Sequence, residues 1–341
     1  GDYAYAINTD WTEYQRVRDV WISDLFLETF GPRREPDADI SATHMNIAAA
    51  LQRRLETVVL AQVAAARDEY DLRKLCLAGG VALNCSMNGK IEASKLFDEI
   101  FVQPASGDNG LPIGACYLAN VARGGTLQPK RSEDYYLGSD CHEADILDAC
   151  AALNLTPKRV DDIYAFTAER LAAGKIVGWF QGRAEFGPRA LGNRSILTRP
   201  FPAEMKDHLN SRVKFREYFR PFAPAVLEER FRDYFEIGQP SAHMLIACKV
   251  KADKKNEIPA VVHVDGTCRV QTVTRDGNAR FHRLIEAFHE QTGCPVVLNT
   301  SFNVKGQPIV NTPHEALECF KSTKIDVLVL GDFVVEDTGS S

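Results

Sequence analysis

Apolar and polar positions along this chain recur with two alternating periods. From about Met45 to Ala65 the apolar residues Ile47, Leu51, Leu55, Val58 and Val59 repeat at helical spacing, with Ser41 or Thr43 available as a cap. Lys74-Leu75-Cys76-Leu77-Ala78 then reads as a short buried strand ending in Gly79-Gly80, and a helix can begin near Leu83. A second strand at Glu99–Val102 leads through Pro104–Gly110 into a helix from Ile113 to Val121. This order predicts a βαβα unit with parallel strands.

Residues 122–140 interrupt the pattern with Arg123-Gly124-Gly125, a proline, several charges and Gly138. The stretch reads as a domain boundary, dividing the chain into 1–126 and 127–341. Beyond it the pattern predicts a helix at Asp161–Ala173 and strands at Ile176–Phe180, Ala260–Val264, Arg269–Val273, Pro295–Leu298 and Val327–Leu330. Further helices are expected at Arg280–Gln291 and His314–Ser322. The fold class is α/β, with a mixed second part and no internal repeat or heptad run. A length of 341 residues suits two such domains.

Composition adds exclusions. Hydrophobic content of 45% and charged content of 25% are those of an ordinary globular protein. No apolar run reaches the roughly 18 residues that a spanning helix needs, so no membrane partner is expected. The nine cysteines are scattered and form no CxxC. They read as small buried thiols of a cytoplasmic, reducing environment rather than zinc ligands or disulfides.

Charge is unevenly spread. Residues 175–225 hold ten Lys or Arg against four Asp or Glu, a surplus of six, in a chain whose net charge is −6. Two runs carry four of these six, Gly182–Ser195 and Lys214–Phe222, with Gly, Pro and Phe interleaved. Glycine lets backbone approach a ligand, and arginine binds phosphate bidentately. Such a concentration within an acidic chain points to an anion site rather than a nucleic-acid surface. A solvated basic face is the competing reading.

Other candidate groups stand at predicted strand ends. Gly79-Gly80 with Asn84 could present backbone N–H groups to a phosphate, although a bare Gly-Gly more often marks a tight turn. Asp108 could be an oxygen ligand to a metal or simply cap a helix. His263–Gln271 reads as strand, turn and strand, and Arg269 would need an anion if it faced inward. Asn299 and Ser301, after the strand Pro295–Leu298, suit phosphate or ribose contacts, or an Asx or Ser/Thr turn. No GxSxG, Walker P-loop or GxGxxG is present.

Together these runs resemble the O-carbamoyltransferase family of nodulation-factor and antibiotic-tailoring enzymes. The matching segments are Leu75–Asn84, Pro104–Ala115, Gly178–Leu197, Leu209–Val226, His263–Val273, Pro295–Thr312 and Asp326–Val334. The resemblance implies half of an actin/sugar-kinase-like α/β domain followed by a YrdC-like mixed α/β domain. It implies an ATP-dependent reaction: carbamoyl phosphate gives carbamate, carbamate and ATP give carbamoyl-adenylate, and an acceptor hydroxyl takes the carbamoyl group. Arg189, Lys214, Arg220 and Arg269 match the family's cationic set. Asn299, Ser301, Gly79, Gly80 and Asn84 match its nucleotide contacts, and Asp108 its metal-binding aspartate. Magnesium is implied with ATP, and a non-haem Fe2+ at Asp108. Partners implied are carbamoyl phosphate and a hydroxyl-bearing small molecule, with no nucleic acid. The family's first module opens with a His-x-x-x-His pair, and residues 1–70 contain a single histidine, His44. The chain is therefore expected to be a C-terminal portion, completed by an N-terminal half or a homodimer partner. A fragment that forms the adenylate without transferring it is the alternative.

Overall fold

A computed structural model of the chain describes residues 5–36, 38–127, 135–215, 217 and 219–336. Two compact units are present: residues 1–74 with 94–98, and residues 75–93 with 99–341. The boundary expected at 126/127 falls inside the second unit, beside residues 128–134, which lie outside the described residues.

The first unit carries helices α1 (Asp24–Phe30) and α2 (Ala42–Tyr70). Ser41 caps α2: its hydroxyl accepts the His44 N–H, while the His44 ring accepts the Ser41 N–H. Trp11, Phe26 and Phe30 stack with centroids 4.8–6.3 Å apart.

The second unit opens with β1 (Lys74–Leu77), α3 (Cys85–Ala93), β2 (Glu99–Val102) and α4 (Leu111–Ala122), as the periodicity predicts. β1 and β2 form their own two-stranded sheet. Cys76, expected to be buried in β1, is exposed, because half of that short strand is uncovered. Cys150, Cys248, Cys268, Cys294 and Cys319 are buried free thiols, as expected, whereas Cys116 is exposed and Cys85 and Cys141 are only half-buried.

Next come α5 (Glu143–Ala152), β3 (Lys158–Arg159), α6 (Ile163–Ala172), β4 (Val177–Phe180), β5 (Arg194–Thr198), α7 (Met205–Leu209), β6 (Ala223–Leu227), α8 (Phe231–Tyr234) and β7 (Phe235–Glu236). They are followed by β8 (Ala247–Val250), β9 (Thr267–Arg269), β10 (Gln271–Val273), α9 (Ala279–Thr292), β11 (Val296–Ser301), α10 (Pro313–Lys321), β12 (Val327–Leu330) and β13 (Phe333–Glu336). An eight-stranded mixed sheet runs β10-β6-β11-β5-β4-β12-β13-β3, and β7-β8-β9 form a smaller antiparallel sheet. α6 packs against α9 over the larger sheet. Val177, Trp179, Ile196, Leu197, Val296 and Leu298 fill its core with no solvent exposure. The mixed α/β class is thus as expected.

Several local expectations change. Ala260–Val264 is not a strand: Pro259 opens a 3-10 turn to Val261, since its fixed φ suits a first turn and it has no N–H for a ladder. Arg269–Val273 is two strands in two sheets, with the chain crossing between them at Val270. The strand expected at Pro295–Leu298 continues to Ser301.

Candidate functional site

The crossover at Val270 and the end of β11 bring distant residues to one place. A cavity of about 200 Å³ is lined by Arg189, Arg220, Met244, Arg269, Asn299 and Ser301, among others. Five of the expected site residues therefore meet across more than 100 positions of sequence.

β11 is buried for four residues and then surfaces, which delivers Asn299 to the cavity floor and Ser301 to its side. Asn299 is 1% exposed. Its amide nitrogen donates to Gln271 Oε1 at 2.9 Å and to the Ala190 carbonyl at 3.4 Å. Its Oδ1 is buried with no hydrogen-bond partner among the described residues. A native chain rarely leaves a buried acceptor idle, so this atom calls for a donor from an ordered water or a ligand.

Arg189 and Arg269 are both partly buried. Among the described residues neither guanidinium has an acceptor or ion-pair partner, and each Nε is buried without one. Burial, and then the nearby charge of Arg269, lower the Arg189 pKa to about 10. Two like charges held together without a counter-charge are unfavourable unless an anion arrives. Arg220 stands at the exposed rim, where its guanidinium lies 3.7 Å from Glu217.

The other arginines of the same run do something else. Arg183 donates to the Leu137 carbonyl. Arg194 is fully buried, donates to the carbonyls of Gln181, Gly182 and Asn193, and stacks 3.6 Å over Phe180. Of the three, Arg189 alone lines the cavity.

Lys214 does not line it. The lysine ends a π-helical turn, Asn210–Lys214, followed by Phe215 at φ +47°. Its buried ammonium donates to the carbonyls of Ser301 and Asn303 and to the Asn303 side chain. In this state it holds the corner that presents Ser301.

Gly79, Gly80, Asn84 and Asp108 are also outside the cavity. Gly79, at φ +94°, donates its N–H to the Ser106 carbonyl, so the loops after β1 and β2 do meet. Space around Gly79 and Gly80 is open. Asn84 Oδ1 accepts the Met87 N–H and so caps α3. Asp108 is exposed and caps nothing: the residue before α4 is Gly110. No group of three or more His, Cys, Asp or Glu placed to hold a metal exists among the described residues. Asp108 therefore has no companion metal ligands among the described residues.

Sequence reasoning did not single out Met244 and Gln271. Gln271 lay inside a quoted run, but only the fold shows its amide bridging Asn299 and the Leu191 carbonyl. No signal marks Met244, which sits at φ +56°.

Residues 168–337 match the family model described as carbamoyltransferase C-terminus, and residues 2–117 the one described as carbamoyltransferase N-terminus. The chain belongs to the carbamoyltransferase family. Nodulation protein NolO of Bradyrhizobium diazoefficiens is 43% identical over 304 residues, covering 87% of this chain and 56% of the relative. Nodulation protein NolNO of Sinorhizobium fredii is 40% identical over 331 residues, covering 93% and 48%. An uncharacterised Synechocystis protein is 41% identical, covering 92% and 56%. This carbamoyltransferase chain thus spans about half the length of the curated relatives it matches. Among solved structures, full-length HypF in its phosphate- and nucleotide-bound form aligns with 52% of the chain and 23% of its own length. The TM-score is 0.36 and the identity 22%. No helix among the described residues is long and apolar enough to cross a membrane.

Proposed function

We propose that the cavity binds carbamoyl phosphate and the phosphates of ATP, and that the chain forms carbamoyl-adenylate for transfer to a hydroxyl of a small-molecule acceptor. The observation that carries this reading is the pair Arg189 and Arg269, with no side-chain partner among the described residues, beside a buried Asn299 Oδ1 with no donor among them. A carbamoyl phosphate supplies both missing pieces. Its phosphate meets the arginines, and its amide N–H₂ meets Asn299 Oδ1.

In the first step water cleaves carbamoyl phosphate to carbamate and inorganic phosphate. A carbamate oxygen then bonds to the α-phosphorus of ATP, and the bond to the β-phosphate oxygen breaks, releasing pyrophosphate. Arg189, Arg220 and Arg269 offset the repulsion of the two anions and stabilise charge that develops in phosphoryl transfer. Ser301, held by Lys214, offers a hydroxyl at the same wall. The residues named as lining the cavity include no carboxylate. Magnesium is therefore expected to enter on the nucleotide phosphates, where it neutralises charge.

The transfer step is proposed for the whole family protein, in the fold implied by the resemblance: an actin-like module and a YrdC-like module. The chain spans about half of its relatives, and Asp108 has no ligand set around it among the described residues. The alternative reading is a chain that forms the adenylate and does not transfer it. The test is exchange of labelled pyrophosphate into ATP, with and without carbamoyl phosphate. Carbamoyl-phosphate-dependent exchange by the parent, lowered about 10²–10³-fold in Arg189→Ala, is expected. Exchange that ignores carbamoyl phosphate, or survives the substitution, contradicts the reading.

A further inference from the structure

We propose that Glu185 is the positioning residue of the anion cavity, fixing the loop that carries Arg189. The inference rests on reading the cavity as an anion site. Arg189 has no side-chain hydrogen-bond partner among the described residues, so the backbone that carries it sets the region its guanidinium can reach.

That backbone is closed by one oxygen. Glu185 Oε1 accepts the N–H of Leu191 at 2.6 Å, of Asn193 at 2.9 Å and of Arg194 at 3.1 Å. The carboxylate therefore pins both ends of the segment 185–194, with Arg189 between them. The other groups of the segment are held to match. The Leu191 carbonyl accepts from Tyr136 Oη and Gln271 Nε2, and the Gly192 carbonyl accepts from Trp179 Nε1. Gly187, at φ +133°, lies against Pro104, where an added Cβ would meet the Pro104 carbonyl oxygen at 3.0 Å. Gly192, at φ +108°, is closed off by the Phe281 ring, 2.2 Å from the place of a Cβ. Removing the Glu185 carboxylate takes away the acceptor that the Leu191, Asn193 and Arg194 amides share.

Charge and position make opposite demands here. Glu185 is not among the residues lining the cavity, and its negative charge favours the Arg194 cation. A carboxylate this close to an anion site weakens anion binding by charge alone, so its removal would tighten binding. If it positions Arg189, its removal weakens binding, because losing a charge-assisted hydrogen bond to the anion costs on the order of tenfold or more in affinity.

The experiment is calorimetric titration of the 341-residue chain with inorganic phosphate, comparing the parent with Glu185→Ala and Glu185→Gln. Affinity of the folded chain is the readout, which a role in stability alone would not move. Glu185→Ala is expected to bind phosphate about tenfold or more weakly. Glu185→Gln should fall between, since its Oε1 still accepts but without charge assistance. Equal or tighter binding by Glu185→Ala overturns the inference. Where that variant does not fold, Glu185→Gln decides: weaker binding supports the inference and tighter binding overturns it. A parent chain that binds no phosphate overturns the anion-site reading, and this inference with it.

Discussion

Replacing Gly89 with alanine sets two well-known effects against each other. Gly89 lies in the middle of α3, where alanine is better for an isolated helix by about 1 kcal/mol. Its environment reverses the sign. A Cβ built on Gly89 would stand 2.0 Å from the carbonyl oxygen of Ala247, and 3.0 Å is the closest approach such contacts tolerate, so helix and strand must part by about 1 Å. They are not free to part. Asn88 donates to the Leu245 carbonyl at 2.8 Å, and Glu92 accepts the Gly238 N–H at 2.9 Å, clamping α3 on both sides of the glycine.

Overpacking a tight seat costs about 1–3 kcal/mol, and each buried hydrogen bond broken adds about 1–3 kcal/mol. The net expectation is destabilisation by roughly 2 kcal/mol, or a fall of about 4–8 °C in the melting temperature of the unit that holds α3. The displacement should also reach the cavity, because Ala247 pairs with Arg269 across β8 and β9. Thermal unfolding by circular dichroism and phosphate titration read the two effects. A Gly89→Ala chain that melts at or above the parent temperature would show that helix propensity wins and that α3 is not seated as described.

Arg269→Met should raise the melting temperature while weakening phosphate binding, since it removes one of two unpaired like charges and half of their anion clamp; a drop in both, or a gain in both, refutes this. Phosphate affinity should begin to fall as pH passes about 10, because burial and the Arg269 charge lower the Arg189 pKa to about 10, whereas an arginine in its ordinary range would hold the plateau further. Titrations at pH 8, 9, 10 and 11 distinguish the two. Burial lowers the His243 pKa to about 4 from 6.5, so the unfolded chain binds the extra proton between those values and stability falls as pH drops through that window. Relative to its own value at pH 7, His243→Leu should therefore lose about 3 kcal/mol less than the parent at pH 4 in urea unfolding, and parallel acid limbs would contradict the shift.

Periodic elements were legible in the sequence. α2, α9 and α10, and β1, β2, β4 and β12, follow from apolar spacing and local caps, because each is decided within a few residues of itself. β5 and β6 were not legible. β5 begins with a buried Arg194, and β6 carries Pro224, which has no N–H for a ladder, yet both are inner strands of the eight-stranded sheet. Their neighbours, rather than their own residues, make them strands.

The site divides in the same way. Charge density and motif drew attention to Arg189, Arg220, Arg269, Asn299 and Ser301, which the fold gathers at one cavity. Sequence could not separate Arg189 from Arg183 and Arg194, which occupy the same run and donate to backbone carbonyls instead. Nor could it turn Lys214 toward Ser301 and Asn303, or seat Asn88 on a carbonyl 157 residues away. Local sequence sets which groups are available and which elements form. Whether a charge is free or satisfied depends on acceptors supplied by distant backbone, and only the tertiary structure brings those within reach.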